Sequence, residues 1–173
     1  MASLYSASVR RRRDLKDEEE DASIGKLGQE FMGDQAQPLL ISEVKFILEQ
    51  IEGDKEDGQQ EHDQSSNPIY KKTLDYIEIF SRYNALDTVR SLRADHLHPN
   101  TLKPEDYDEN GNLVPDEASL QLTGFEGVQI ADLAVENVEE AKTLIPTLVS
   151  KDDMRLAELL EEISNARRFQ TTG

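Results

Sequence analysis

The sequence predicts an all-α fold, in which short amphipathic helices form a compact bundle between about residue 68 and residue 170. In several segments apolar residues recur every three to four positions, the spacing that places them on one face of an α-helix. No segment shows the strict apolar–polar alternation of a half-buried strand, and only the stretch around Leu27–Phe31 is compatible with a short strand.

The first 41 residues are expected to form an extended N-terminal arm that is partly disordered. Residues 10–21 change from four arginines to mostly acids, which is typical of a charge-balanced solvated tail, with a basic nuclear localisation signal as the alternative. Three glycines and Pro38 between residues 22 and 41 make a long helix unfavourable there.

One separate amphipathic helix is predicted over residues 42–52. Apolar residues at positions 41, 44, 47, 48 and 51 define its face, Ser42 can cap its first turn, and Gly53 is expected to end it. Because a helix of about eleven residues is unstable alone in water, we expect this face to be buried against another element.

Two acidic segments interrupt the helical pattern. Residues 52–67 and residues 100–122 each carry six acids and one lysine, and together they supply ten of the 17 net negative charges. Neither segment has hydrophobic periodicity, so both are expected to be solvated, mobile loops. We therefore assign an acidic linker to residues 53–67 and an acidic insertion to about residues 99–122.

Two helices are predicted between these acidic segments. Pro68 is expected to open the first, because the first helical turn does not need the missing N–H, and Asn84 to end it. The second is expected to fade near Leu97, since Pro99 and Pro104 oppose its continuation. The predicted face of the first helix is Ile69, Thr73, Tyr76, Ile77, Phe80 and Tyr83, and the second helix is predicted from Leu86, Val89, Leu92 and Arg93.

The C-terminal third carries three further helix signals. Thr123 can cap a helix, Asn137 with Glu140 resembles a capping box, and Ser150 with Asp153 is expected to begin the last helix. Pro146 should end the middle helix by forcing Ile145 out of helical geometry. The inner face of the last helix is predicted to consist of Leu156, Leu159, Leu160 and Ile163.

Composition excludes several classes of function. The net charge of −17 opposes binding to phosphate backbones and anionic lipid. Without cysteine there is no disulfide, no Cys-ligated zinc and no thiol nucleophile. No apolar run approaches the ~20 residues of a membrane span, and acids rather than an apolar stretch follow the arginine cluster, unlike a signal peptide.

One stretch fits a calcium-binding pattern. Residues 106–117 match an EF-hand loop, with Asp106, Asp108, Asn110 and Glu117 as oxygen ligands and Gly111 at the turn. Pro104 precludes the helix that should enter such a loop, and there is no second loop to pair with. We therefore predict no metal site and keep a Ca²⁺-binding regulatory protein as an alternative.

No catalytic residue and no cofactor-binding residue is predicted. The paired acids are better explained as solvated helix faces. The aromatic stripe of Tyr76, Phe80 and Tyr83 is better explained as part of the core. Lys71, Lys72, Arg82, Arg90 and Arg93 are the only candidates for a nucleic-acid-binding face. An apolar-dotted arm and an amphipathic helix, separated from the bundle by a charged linker, instead indicate an interaction subunit that a partner completes.

Three stretches, in order, resemble the family of the fourth subunit of eukaryotic RNA polymerase II, most of all its fungal members. They are Arg10–Phe31 with its Leu-Gly-Gln-Glu-Phe end, Lys72–Leu92, and Glu139–Leu148 followed by the helix that ends at Phe169. The family is also similar to the corresponding helical stalk component of the archaeal polymerase. Ala-Lys-Thr-Leu-Ile-Pro-Thr-Leu, at residues 141–148, is the most specific of these stretches.

The resemblance implies a noncatalytic nuclear subunit, with the cytoplasm as a second location, and an HRDC-like helical bundle over residues 68–170. It implies that the arm and helix 42–52 pack on the OB-fold seventh subunit, forming a stalk near the clamp and the RNA exit that acts in initiation and RNA handling. RNA contact is then expected mainly through the partner. The implied interface residues are Leu27, Phe31, Leu40, Val44, Ile47, Leu48 and Ile51. The matching stalk subunit of RNA polymerase III is the nearest alternative, and the insertion at 99–122 departs from the family.

Overall fold

The computed structural model describes Asp21 and residues 37–56, 67–114 and 119–170. The chain divides into two units, Met1–Gln37 and Pro38–Gly173, and the helices described all lie in the second. Within the described residues there is no named strand, so the all-α prediction is confirmed. The predicted short strand around Leu27–Phe31 lies outside the described residues.

Helix α1, Ile41–Glu56, is longer than the predicted span 42–52 at both ends. Gly53 does not end it, which corrects the prediction; a glycine inside a helix costs only about 1 kcal/mol, and tertiary packing readily offsets that amount. Ser42 is not its cap either. The first turn is closed instead by Glu43, whose carboxylate accepts the N–H of Leu40 at 2.8 Å.

Helix α2, Pro68–Phe80, begins where the proline predicts, and the side chain of Asn67 caps it by accepting the N–H of Ile69. It ends at Phe80 rather than near Asn84, because Ser81 adopts extended backbone angles. The chain then turns so that Tyr83 is completely buried, although it lies beyond the helix.

Helix α3, Leu86–Ser91, continues through a π-helical stretch, Leu92–Leu97, into a last turn, His98–Asn100. The prediction that the helix ends near Leu97 because of Pro99 is therefore wrong. The side chains of Asn100 and Thr101 donate to the carbonyls of His96 and Leu97, which supplies partners that the helix end lacks.

The insertion is not simply a solvated loop, which corrects the prediction for residues 100–122. Its two ends are joined by a parallel bridge between Thr101 and Leu122, and Leu120 and Leu122 are buried in the core. Between the bridged residues Thr101 and Leu122 lie a 3₁₀ turn, Pro104–Asp106, and a short hairpin in which Tyr107 pairs with Leu113.

Helices α4, Gly124–Leu133, and α5, Val138–Leu144, start at the predicted caps. Thr123 and Glu126 form a complete capping box, and Asn137 accepts the N–H of Glu140. A 3₁₀ helix, Pro146–Ser150, follows. Helix α6, Asp153–Arg168, is capped by Asp152 rather than by Ser150, because the carboxylate of Asp152 reaches the N–H of Arg155 at 2.9 Å.

The core is built by α3 with its π-helical continuation and by α4 to α6, together with Leu40 before α1, Tyr83 after α2 and the two leucines near the end of the insertion. The predicted inner face of α6 is buried in full. No helix in the described part of the chain has the length and apolarity needed to cross a bilayer. The buried core residues are Leu40, Tyr83, Val89, Leu92, Leu97, Leu120, Leu122, Val128, Ile130, Ala131, Val135, Ala141, Ile145, Leu148, Leu156, Leu159, Leu160 and Ile163.

Candidate protein-interaction surface

The first turns of α1 are fixed to the bundle by this chain itself. Leu40 is fully buried, and the N–H of Ile41 donates to both carboxylate oxygens of Asp132 at 3.2 Å. The hydroxyl of buried Ser42 accepts the N–H of Tyr83 and lies 2.9 Å from the hydroxyl of Ser81. Leu40, predicted as an interface residue, is therefore part of the intramolecular core and unavailable to a partner.

An ion pair secures the same region. The guanidinium of Arg93, in the π-helical stretch that follows α3, contacts both oxygens of Glu43, with Nε donating to Oε1 at 2.6 Å. It also donates to the carbonyl of Pro38 at 3.1 Å. Such two-point pairing fixes orientation as well as distance. The N-terminal half of α1 is therefore packed on the bundle and is not a separate helix that only a partner could cover.

The remaining predicted interface side chains of α1 stay accessible. Val44, Ile47, Leu48 and Ile51 share one face by their helical spacing, and Ile47 and Ile51 are each 44% exposed. Val44 and Leu48 are half-buried. Leu27 and Phe31, the other two predicted interface residues, lie outside the described residues.

Helix α2 exposes much of the stripe that the sequence assigned to the core. Of its predicted inner face only Ile77 is buried within the helix, whereas Ile69 is 73% exposed and Tyr76 is 53% exposed. Phe80 and Ile79 are exposed too, and the rings of Tyr76 and Phe80 are stacked at 4.6 Å between centroids with a tilt of 35°. The prediction that Tyr76 and Phe80 belong to the core is wrong; the burial of Tyr83 is confirmed.

Helices α1 and α2 pack against each other. The hydroxyl of Tyr70 donates to the carboxylate of Glu52 at 2.8 Å, and this bond to an acid raises the pKa of Tyr70. Two neighbouring helices thus each carry large apolar side chains in contact with water. Exposed apolar residues on adjacent elements are typical of a protein-interaction surface, since isolated proteins rarely expose them in groups.

Two titratable groups near the start of α1, the partly buried Asp132 and the buried Tyr83, have displaced pKa values. Burial raises the pKa of Asp132 to about 6, even though the hydrogen bond from Ile41 favours its ionised form. Burial also raises the pKa of Tyr83 to about 12. The Asp132 carboxylate attaches α1 to the bundle through Ile41, whereas the Tyr83 hydroxyl donates to the carbonyl of Ala131 within the bundle.

The EF-hand-like residues do not gather around an ion site in the described segment. Asp106 accepts the N–H of Lys103, while Asp108 accepts the N–H groups of Asn110 and Asn112, and these bonds lower the pKa of Asp108. Glu117 lies outside the described residues. Among those described, no three His or acidic side chains are grouped as metal ligands.

The candidate nucleic-acid face is largely engaged within the chain. Arg93 is paired with Glu43, Arg90 lies 3.7 Å from Asp87, and Arg82 donates to the carbonyl of Asp132. Lys71 and Lys72 are the members of that set that are exposed on α2. Arg82 and Arg90 are exposed as well, but each has a polar neighbour within this chain, and these few cations give little basis for phosphate recognition on a chain of this net charge.

The most family-specific stretch, residues 141–148, has a structural role. Ala141, Ile145 and Leu148 are buried. The ammonium of Lys142 donates to the carbonyls of Val149 and Lys151 and to the carboxylate of Asp153, so it joins the end of α5 to the start of α6. Sequence reasoning missed Lys142, Asp132 and the pairing role of Arg93, since each depends on a partner remote in sequence or on an irregular turn.

Comparison with known proteins gives a consistent result. A family model described as RNA polymerase Rpb4 matches residues 38–167. DNA-directed RNA polymerase II subunit 4 of Arabidopsis thaliana is 32% identical over 162 residues, covering 89% of this chain and 98% of that protein. Subunit rpb4 of Schizosaccharomyces pombe is 31% identical, covering 88% of this chain and 95% of that protein. Subunit rpb4 of Dictyostelium discoideum is also 31% identical, with coverage of 88% and 92%.

Proposed function

Because this chain belongs to the RNA polymerase Rpb4 family, we propose that it is a noncatalytic subunit of nuclear RNA polymerase II that forms the stalk heterodimer with the OB-fold seventh subunit. The name RNA polymerase II in all three relatives supports this assignment over the corresponding polymerase III subunit. In this role the HRDC-like bundle over residues 68–170 is a scaffold, and the stalk acts in initiation and in RNA handling beside the RNA exit.

The observation that carries the proposal is the exposed apolar surface on α1 and α2. Val44, Ile47, Leu48 and Ile51 on α1 form the part predicted from sequence. We add the stripe of Ile69, Tyr76, Ile79 and Phe80 on α2, which the sequence assigned partly to the core. Burying large aliphatic and aromatic side chains fully is worth about 1.5–3 kcal/mol each, and this gain offsets the entropy that two subunits lose when they associate.

Charge supports the division of labour between the two subunits. The net charge of −17 opposes contact with RNA by this chain, so RNA binding is assigned mainly to the partner. The arm around Leu27–Phe31 is proposed to contribute further apolar contacts to the same partner, in line with the family resemblance.

The proposal is tested by co-expressing the full chain with the seventh subunit and measuring the affinity of the purified pair. We expect a stable 1:1 complex that Ile69→Ser with Phe80→Ser weakens at least tenfold, because central apolar contacts dominate interface energy. Met154→Ser is the matched control, since Met154 is exposed and belongs to α6 rather than to either of these two helices.

Two results would count against this function. A chain that shows no affinity for the seventh subunit would remove the stalk assignment, and co-purification of the native protein with RNA polymerase III would transfer it to that enzyme. If the α2 variant and the Met154 control bound the seventh subunit with equal affinity, α2 would not be part of the interface.

A further inference from the structure

The acidic insertion is built as an ordered projection. Its ends are joined by hydrogen bonds from Leu102 to the carbonyl of Leu122 at 2.7 Å and from Leu122 to the carbonyl of Asn100 at 2.6 Å. With Leu120 and Leu122 buried in the core, the insertion leaves and rejoins the bundle at a fixed base.

Residues 106–114 form a hairpin with its own internal bonds. The N–H of Val114 donates to the carbonyl of Asp106 at 2.7 Å, and Asp108 exchanges bonds with Asn112 across the turn. Gly111 has a φ of 78°, a left-handed angle that glycine adopts without a Cβ penalty. The turn therefore has a defined shape that its own hydrogen bonds maintain.

Gln121 connects this hairpin to the bundle. The side-chain amide nitrogen of Gln121 donates to the carbonyl of Val114 at 2.8 Å. The backbone carbonyl of Gln121 accepts a hydrogen bond from the ammonium of Lys151 at 2.6 Å. Gln121 has a φ of 51°, an unfavourable angle for a side chain of this kind. The surrounding bonds compensate for that cost, and they give the hairpin a set position relative to the start of α6.

The hairpin presents apolar side chains to water. Tyr107 and Leu113 are directly opposite each other in the antiparallel bridge, which places their side chains on one face. Both are exposed, as is the adjacent Val114. None of the three belongs to the hydrophobic core, so the burial of these side chains is not what stabilises the bundle.

Negative charge surrounds this apolar face. Residues 103–114 contain four acids against one lysine, and Glu105, Asp108 and Glu109 are exposed. Lys103 lies 3.9 Å from Glu105, so this segment balances only part of its own negative charge. A complementary partner offers positive charge beside apolar groups, because the acids attract cations and repel an acidic segment.

We propose that the hairpin 106–114 is a docking element for a basic, extended segment of another protein, one that alternates Lys or Arg with aliphatic or aromatic residues. The apolar side chains of such a segment pack on Tyr107 and Leu113, while its cations face Glu105 and Glu109. A preformed hairpin loses little conformational entropy on binding, which favours affinity from a small contact area. This interaction is separate from the proposed stalk interface on α1 and α2.

The test uses fluorescence anisotropy with labelled synthetic peptides of about ten residues, the length of an extended segment that one hairpin can contact. One peptide alternates Lys and Val, a second alternates Lys and Ser, and a third alternates Glu and Val. Each is titrated with the full chain, alone and in complex with the seventh subunit. We expect the Lys–Val peptide to bind at least tenfold more tightly than either of the others, in both settings.

Three variants locate the binding. Tyr107→Ser with Leu113→Ser removes the apolar face, and Glu105→Gln with Glu109→Gln removes charge while leaving that face intact. Each should weaken the Lys–Val peptide at least tenfold. Met154→Ser with Glu158→Gln, an exposed apolar and acidic pair on α6, is the matched control and should bind as the parent does. The amide proton of Val114 reports by NMR whether the hairpin persists in each variant. If the serine variant does not form the hairpin, the binding of the glutamine variant tests the proposal.

Several results would overturn the proposal. Equal binding of the Lys–Ser peptide would show general charge attraction, and equal affinity of all variants would place the peptide elsewhere. Loss of peptide binding in the heterodimer would make the hairpin part of the stalk interface. RNA binding that the hairpin variants abolish, or a Ca²⁺ titration whose heat disappears with Asp108→Asn, would assign the hairpin to a different ligand.

Discussion

Replacing Asp132 by Asn probes the attachment of α1 to the bundle through its dependence on pH. The Asp132 carboxylate accepts the N–H of Ile41, and an asparagine carbonyl can accept the same bond. The substitution therefore removes the charge while keeping the contact. Glu43 disfavours the ionised carboxylate, while Arg82 and Arg93 favour it.

The magnitude follows from the two pKa values. Burial raises the pKa of Asp132 in the folded protein to about 6, from 3.8 in an unperturbed chain. Between these pH values the folded state binds more protons than the unfolded state, so the free energy of unfolding decreases as the pH rises from about 4 to about 6. The full shift corresponds to about 3 kcal/mol; because the side chain is only partly buried, screening by solvent reduces the expected loss to about 1–2 kcal/mol.

The assay is urea unfolding of the full chain and of Asp132→Asn, followed by far-UV circular dichroism at several pH values. The stability of the variant relative to the parent should increase by about 1–2 kcal/mol between about pH 4 and about pH 7.5, with nearly all of the change below about pH 6.5. Asp87→Asn, which removes an exposed carboxylate, serves as the control for net charge.

Parallel stability curves would refute the reasoning. If the difference between Asp132→Asn and the parent is constant over this pH range, then Asp132 has a similar pKa in the folded and unfolded states. The region where Ile41 meets α4 would then be open to water rather than closed.

Three other predictions follow from the same structure. Leu160→Ala should destabilise the full chain by about 2–5 kcal/mol, because a buried leucine leaves a cavity; a loss under about half a kcal/mol in denaturant melts would show that the inner face of α6 is loosely packed. Arg93→Lys should cost about 1–2 kcal/mol, since an ammonium cannot contact both oxygens of Glu43 and the Pro38 carbonyl together, and an unchanged urea midpoint would show that the pair is not coupled to folding. Phe31→Ala should weaken binding to the seventh subunit in calorimetry while the melting of the chain is unchanged, and a parallel loss of both would place Phe31 in the core.

Local sequence signals predicted the helix starts that depend on local chemistry. Pro68, Thr123 and Asn137 each act within three residues of themselves, through a fixed φ angle or a side-chain bond to a nearby N–H. The periodicity of Leu156, Leu159, Leu160 and Ile163 likewise identified a buried face, because no large apolar residue on the opposite side of α6 competes with it beyond Met154.

Features that depend on distant contacts could not be predicted in this way. Periodicity on α2 is satisfied equally by Ile77, which is buried, and by Ile69 and Tyr76, which are exposed; only the position of α1 decides between them. The same holds for Ser42, which has the chemistry of a cap but bonds to Tyr83 and Ser81 across the fold.

The insertion shows a further limit of composition as a guide. Its acids suggested a mobile loop, yet Leu120 and Leu122 anchor it in the core. Two buried leucines change the composition of a long acidic segment very little. Their effect on order is large because they fix the place where the segment rejoins the bundle.

Amide hydrogen exchange shows whether α1 and α2 together face the seventh subunit. The full chain is compared alone and in its 1:1 complex with that subunit, and protection is followed in peptides covering residues 41–56, 68–80 and 101–114. The account predicts slower exchange on complex formation in both helices and unchanged exchange in the hairpin. Unchanged exchange in α1 and α2, with protection appearing elsewhere on the bundle, would contradict it.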